Sequence, residues 1–345
     1  MMPMAAFSPR GESRGPWDRV LVTGGAGFLG SHLCTRLLDA GAGVDCLDNL
    51  STGRAERVAH LSGRPGFRFL ERDISEPGCA DALTGPYDLV LHLAGPASPA
   101  ARPDRPVEVL DTGSLGTRAA LAVAGRDGAR FLLASSPPVR PAPDGDAPDD
   151  ADPVRPHSAR AEAARFAEAL VAAHAGAHGS NAGIVRLFTA YGPGMRTDCG
   201  GPPAAAIEQA LAGRPVTVTG DGGRRHPLCY VSDMVDGVLL VAAGRSVRPV
   251  DLGGDEAPTA LDIARLVIAL TGSDSPLEFV EDTADGAVEP RPVTGFAREI
   301  FGWLPCVTWQ DGLERTVAAF RGGSDPFPAA PTGRTTAERT GEWWA

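Results

Sequence analysis

The sequence predicts an α/β fold, a doubly wound parallel sheet with a smaller C-terminal lobe. Three observations predict it. Short apolar runs alternate with helix-length segments over roughly the first 190 residues. A Gly-rich turn joins the first such run to the first helix. At 345 residues the chain is long enough for two units. Strands separated by helices of this size need crossover connections, and crossovers make parallel sheets.

The elements follow in order. Residues 1–16 read as a disordered leader with no apolar stretch of signal-peptide length. RVLVT (19–23) is the first strand, and a helix spans about 28–40. GVDCL (43–47) is the second strand, ending at Asp48. Strands are expected at 67–70 and at 89–93 (LVLHL), a helix at 116–124, and a strand at 129–134 (ARFLLA). Residues 137–156 are rich in Pro and Asp, and their five Asp read as a solvated loop, not a metal site. An Ala-rich helix covers 158–175, and a strand covers 182–187. Further helices are expected at 204–211, 261–270 and 310–320, with a short strand at 216–218. The domain reading is a sheet domain at 17–188 with a return segment at about 227–253. The lobe is assigned 189–226 and 254–320, and 321–345 a flexible tail.

Composition narrows the function. All 32 basic residues are Arg, and the chain has no Lys. Schiff bases, pyridoxal-phosphate anchors, phosphate-loop lysines and Tyr–Lys proton-transfer pairs are therefore excluded. A net charge of −11 argues against nucleic acid as a partner. The six Cys (34, 46, 79, 199, 229, 306) are scattered without a C-x-x-C pair. No metal is expected, and the usage suits a reducing, cytoplasmic setting. No run of about 18 apolar residues exists, so no membrane span is expected.

The chemistry-bearing motif is Thr23-Gly24-Gly25-Ala26-Gly27-Phe28-Leu29-Gly30, which follows a strand and opens a helix. Gly24, Gly27 and Gly30 let backbone approach a pyrophosphate, whose charge sits at the helix N-terminus. Asp48 lies 18 residues after Gly30, at the end of the second strand. A carboxylate there accepts hydrogen bonds from an adenosine ribose and repels a 2′-phosphate, which favours NAD over NADP.

TGGAGFLG, LDNLSTGR, RDI, HLAGPASP, YGPGM, GDGGRR, CYVSDMVDG and FGWLP occur in this order. Over roughly residues 18–320 the chain resembles the extended short-chain dehydrogenase/reductases that modify nucleotide sugars, above all UDP-glucuronate decarboxylases. The resemblance implies a Rossmann-type sheet with a substrate-binding lobe. It also implies NAD as cofactor, held by Gly24, Gly27, Phe28, Leu29, Asp48, Asn49, Thr52, Gly53, Asp73, Ile74, Leu93, Ala94 and Thr112. The family's reaction oxidises a sugar hydroxyl with a Tyr-x-x-x-Lys pair, the Lys lowering the Tyr pKa. Here Arg160 stands in the Tyr place, Ala164 in the Lys place and Pro138 in the place of an acid/base Glu. Ser136 fills the catalytic Ser/Thr place. Of the substrate positions, Thr189 replaces an Asn, His226 replaces a diphosphate-binding Arg, and Arg291 keeps another. Asp111 replaces a Lys, Gly194 an Arg and Thr219 a nucleobase-stacking Tyr.

Ser136 and Arg160 are thus the candidate catalytic groups. His157, Cys199 and His226 fall in or near pocket-lining segments, and each reads first as an ordinary loop or core residue. His92 and His32 read as packing, and His174 and His178 as cations near a helix C-terminus. Three functions stay open. One is an enzyme repurposed for non-redox chemistry on a small molecule or sugar derivative in specialised-metabolite biosynthesis. Another is a non-catalytic NAD-binding partner of an active paralogue. The third is a decarboxylase, epimerase or dehydratase with substitute acid/base groups. Phe166, Ala169, Leu170 and Ala173 follow i, i+3, i+4, i+7 spacing. In this family the helix that bears them pairs with its twin, so a homodimer is expected, although the stripe suits packing within one chain equally well.

Overall fold

The computed structural model describes residues 15–95, 105–137, 159–179, 181–196, 201–281 and 291–322. Strands β1 (Arg19–Thr23), β2 (Gly43–Asp48), β3 (Phe67–Glu71), β4 (Leu89–His92), β5 (Arg130–Ser135), β6 (Ala182–Leu187) and β10 (Val250–Leu252) form one sheet. Its order is β10-β6-β5-β4-β1-β2-β3, and every pairing is parallel. Both faces are covered, which is why the central strands are apolar throughout instead of alternating. Val20 and Val22 enter one core cluster and Leu21 the other. Leu89 and Leu91 likewise part from Val90. The twofold period of the strand sorts successive side chains to opposite faces.

Helix α1 (Phe28–Asp39) follows β1. Between β4 and β5 run α2 (Pro106–Asp111), a single π turn at Thr112–Gly116 and α3 (Thr117–Asp127). Helix α4 (Ala159–His178) leads into β6. It buries Ala163, Ala167 and Val171, an i, i+4, i+8 stripe. The stripe expected from the sequence is a different one: Phe166 is 53% exposed, and Ala169 and Ala173 face solvent.

After β6 the chain leaves the sheet through β7 (Ala190–Tyr191), α5 (Pro202–Leu211) and β8 (Val216–Thr219). It returns by β9 (Cys229–Tyr230), α6 (Val231–Ala243) and β10, which pairs with β6 at the sheet edge. It leaves again as α7 (Ala260–Thr271), β11 (Leu277–Val280), α8 (Gly295–Phe301) and α9 (Trp309–Phe320). β11 pairs with β8 in a parallel ladder outside the main sheet. Helix α7 starts in a capping box, with Thr259 and Asp262 bonding each other's backbone amides, and stops at Gly272 in the left-handed region.

Trp303 locks the outer helices onto α6. Its Nε1–H donates to the Asp233 carbonyl (2.9 Å), and the indole lies where a Cβ on Gly237 would otherwise stand. The Asp233 carboxylate accepts the amides of Cys306 (2.7 Å) and Val307 (2.8 Å). The SDMVDG and FGWLP motifs are therefore one packing unit. Among the described residues no helix is long and apolar enough to cross a membrane, and no three His, Cys, Asp or Glu gather as metal ligands. Pro138, His157, Cys199 and the five Asp of 137–156 lie outside the described residues.

Candidate active site

The strand order reverses at β1. β2 and β3 lie on one side and β4 on the other, which opens a crevice at the carboxyl ends of β1 and β4. The Gly-rich turn occupies this crevice. Gly24 has φ +72°, and a Cβ on it would stand 2.7 Å from the Leu93 carbonyl carbon and 2.8 Å from the Ala94 nitrogen. Gly30 packs directly on the Gly24 carbonyl. Gly27 is the N-cap of α1, whose first turn has no side-chain cap and no acidic residue. Its leading amides are thus left for an anion.

Asp48 closes the far side. Its Oδ2 accepts the Ala26 amide (3.0 Å) and its Oδ1 the Leu50 amide (2.8 Å). Burial pushes this carboxyl above its ordinary value, and the two amides work against the rise. Gly53 covers it so closely that a Cβ would stand 2.5 Å from Oδ1. Asn49 donates to Asp73 (2.7 Å). Burial pushes the Asp73 carboxyl up, but bonds from Ser75 and Asn49 outweigh it and hold the group below its ordinary value. Ile74 is buried below, and Leu93 and Ala94 are half-buried at the mouth of β4. Thr112 is half-buried on the π turn, its hydroxyl bonded to the Glu108 carbonyl (2.8 Å).

His92 is a core residue. It bonds the Thr23 hydroxyl (2.7 Å) and the Thr117 hydroxyl (3.2 Å), and burial lowers its pKa to about 4. His32, half-buried on α1, is likewise neutral, its pKa pushed down to about 4 by desolvation.

Ser136 follows β5 and Arg160 stands in the first turn of α4, both half-buried. Ala164 lies one turn later on the same helix, also half-buried. Helix α4 presses on the π turn, where a Cβ on Gly113 would stand 2.7 Å from the Ala163 Cβ. π turns recur at functional sites because they interrupt the regular ladder. The chain's three tyrosines are elsewhere. The Tyr87 hydroxyl donates to Asp45 just before β4, at the opposite end of the sheet from the crevice. The Tyr191 hydroxyl donates to the Trp309 carbonyl (3.2 Å), and Tyr230 packs edge-on against it. Burial pushes all three phenols above their ordinary value.

On the outer unit a cavity of about 240 Å³ is lined by Arg225, Arg291, Asp255 and Pro292 among others. His226 does not line it. Burial first, then the nearby Arg224, lowers its pKa to about 4, so it is neutral at neutral pH. By resemblance His226 takes a diphosphate-binding place with Arg224 and Arg225 adjacent, and the cavity is lined by Arg225 and Arg291. The run Arg224-Arg225-His226 contained the signal, but only the fold selects which of the three faces the cavity. Thr189 is half-buried at the start of this unit, its carbonyl accepting the Cys229 amide (2.9 Å).

Residues 20–252 match the model of the NAD dependent epimerase/dehydratase family. The chain belongs to that family. UDP-glucuronic acid decarboxylase 1 of Danio rerio is 34% identical over 307 residues, 88% of this chain and 72% of that protein. UDP-glucose 4-epimerase of Thermus thermophilus, solved with NAD, superposes with a TM-score of 0.76 at 27% identity. That match covers 89% of this chain and all of the other. UDP-glucose 4-epimerase of Thermotoga maritima, solved with UDP-glucose, gives 0.77 at 27% identity, covering 88% and 99%.

The cofactor is NAD, and the crevice fits it: side-chain-free backbone at Gly24 and Gly27, uncapped amides at α1, and a carboxylate at Asp48. Asp48→Ala is expected to weaken NAD binding by about 1–3 kcal/mol, the worth of charge-assisted hydrogen bonds. Calorimetry with NAD and NADP checks both this and the expected preference of the wild type for NAD. Equal wild-type affinity for the two dinucleotides overturns the assignment.

Proposed function

We propose that this chain holds NAD in the family's crevice but acts on a small sugar derivative without the family's Tyr–Lys chemistry. One observation carries the reading. By resemblance Arg160 and Ala164, both on helix α4, stand in the places of that pair, and neither can replace it. A guanidinium keeps its proton at any working pH, so it cannot serve as base. It does hold carboxylates and phosphates through a planar fork. Ser136 and Arg160 are the groups we assign to the nicotinamide end, with Arg160 as an anion holder and Ser136 as a second donor. Bound NAD supplies a hydride acceptor and a fixed positive ring beside them. The Arg225–Arg291 cavity supports a phosphate-bearing substrate, with Thr189 at the lobe entrance. Elimination, isomerisation or decarboxylation fits this set of groups. Incubation with UDP-glucuronate and NAD tests the reading, and family-like formation of UDP-xylose overturns it.

We also propose a homodimer. Val107 (66% exposed) and Leu110 (38%) on α2, Leu115 (49%) on the π turn and Phe166 (53%) on α4 are large apolar groups facing solvent on adjoining elements. A second copy related by a twofold axis meets the same strip with the same strip. Burying Phe166 contributes about 1.5–3 kcal/mol per copy. Phe166→Glu is therefore expected to convert a dimer into monomer at micromolar concentration, read by light scattering. A monomeric wild type, or a variant still dimeric, removes the proposal.

A further inference from the structure

We propose that Arg57, Arg196 and His32 are positioning residues for NAD. They bind the Gly192–Arg196 turn to the loop beside Asp48, so that dinucleotide binding and placement of this turn are coupled. The turn follows β7 and precedes α5, so it is the entrance to the outer unit. It is held at three points. The Arg57 Nε–H donates to the Gly194 carbonyl (2.9 Å). An Arg196 amino group donates to the Thr52 carbonyl (2.8 Å). The His32 Nε2–H donates to the Pro193 carbonyl (2.9 Å). The partners are 137, 144 and 161 residues apart in sequence.

The loop is in turn bonded to the phosphate turn. The Ala26 amide donates to Asp48, and the Arg54 amide donates to the Ala26 carbonyl (3.0 Å). Glycine turn, Asp48 loop and Gly192–Arg196 turn are therefore one hydrogen-bonded chain across two parts of the fold. His32 is suited to a fixed place in it. Burial keeps the ring neutral, and Phe28 of the first turn of α1 packs edge-on against it, ring centres 5.6 Å apart. A neutral ring facing a carbonyl must carry its proton on Nε2, which fixes one tautomer. All three acceptors are backbone carbonyls, so the bonds tie the side chains to the main chain of the turn and of the Asp48 loop. Dinucleotide that fixes Asp48, Thr52 and Gly53 thereby fixes the turn without touching it. By reciprocity, whatever fixes the turn tightens the dinucleotide.

The test is amide hydrogen exchange on the full chain with and without saturating NAD, together with NAD affinity. In the wild type NAD is expected to slow exchange at 24–30 and also at 192–196. Arg196→Met keeps the apolar stem and removes the donor. It is expected to retain the first effect, lose the second and bind NAD about three- to tenfold more weakly. Arg57→Met is the independent second variant with the same expectation. Arg196→Lys restores a donor and is expected to recover the slowing at 192–196. A purely structural bracket would alter exchange at the turn equally with and without NAD. The proposal is overturned if NAD leaves 192–196 unaffected in the wild type. It is equally overturned if a folded methionine variant keeps the NAD-induced slowing and the wild-type affinity. Should neither methionine variant fold, the wild-type exchange decides alone.

Discussion

UDP-glucuronate incubated for hours with this protein and NAD is expected to be recovered unconverted, with no UDP-xylose detectable by mass spectrometry at a family-like rate. A positioned general base is commonly worth about 10²- to 10⁴-fold, and by resemblance Arg160 and Ala164 take the places of the base and of the cation that tunes it. A free phenol titrates near 10, so even a displaced tyrosine would need a neighbouring cation to act near neutral pH. Arg19 and Arg68 lie beside Tyr87 and Arg315 beside Tyr230, yet burial outweighs them and all three phenols stay above their ordinary value. Tyr87 is bonded to the buried Asp45, and burial raises it further. Tyr191 and Tyr230 are packed against each other, and the Tyr191 hydroxyl is bonded to Trp309, the first residue of α9. No lysine exists anywhere to take the second role. Turnover near about 1 s⁻¹, the low end of ordinary enzyme rates, would contradict both the assignment of α4 and the function proposed for it.

The sheet was legible because its strands are short apolar runs ended by Gly, Asp or Pro, and the period-2 sorting needs no long-range information. β1 and β6 fall on the residues expected. Helix α6 is absent from the sequence reading for a physical reason. Ten of its residues are buried, so its pattern shows no polar face and its period is hidden. α2 and the π turn were hidden differently. Their register is broken by the extra residue of the π turn, and α4 packing on Gly113 stabilises it from outside. The glycines of the cofactor side could be expected from the sequence, since close backbone approach demands them, as at Gly24. The cation facing the outer cavity could not. Arg225 and His226 are neighbours in sequence, and no local pattern says which of the two lines the cavity. The bonds joining Thr52, Gly194 and Arg196 are likewise invisible to any local pattern.

Gly24→Ala is expected to destabilise the protein by about 2–4 kcal/mol and to abolish measurable NAD binding. Two independent costs act at one position. The residue has φ +72°, a left-handed conformation that costs an L side chain about 1–2 kcal/mol. The added methyl would also stand 2.7–2.8 Å from the carbonyl carbon and oxygen of Leu93 and the nitrogen of Ala94, all backbone atoms that cannot rotate away. Relief requires β1 and β4 to part at their carboxyl ends, or the glycine turn to lift. Either movement carries Gly27 and the uncapped amides of α1 off the position that receives pyrophosphate. Gly125→Ala is the matching control. It lies in α3, exposed, with nothing within 4 Å of the added methyl. There the same chemical change is expected to stabilise by about 0.5–1 kcal/mol, because alanine loses less backbone freedom in a helix. Urea unfolding of both variants, followed by NAD calorimetry on the folded protein, separates the general effect of Gly→Ala from the local one. If Gly24→Ala unfolds at the wild-type urea concentration and still binds NAD, the backbone contact between the glycine turn and the end of β4 is not what shapes the crevice.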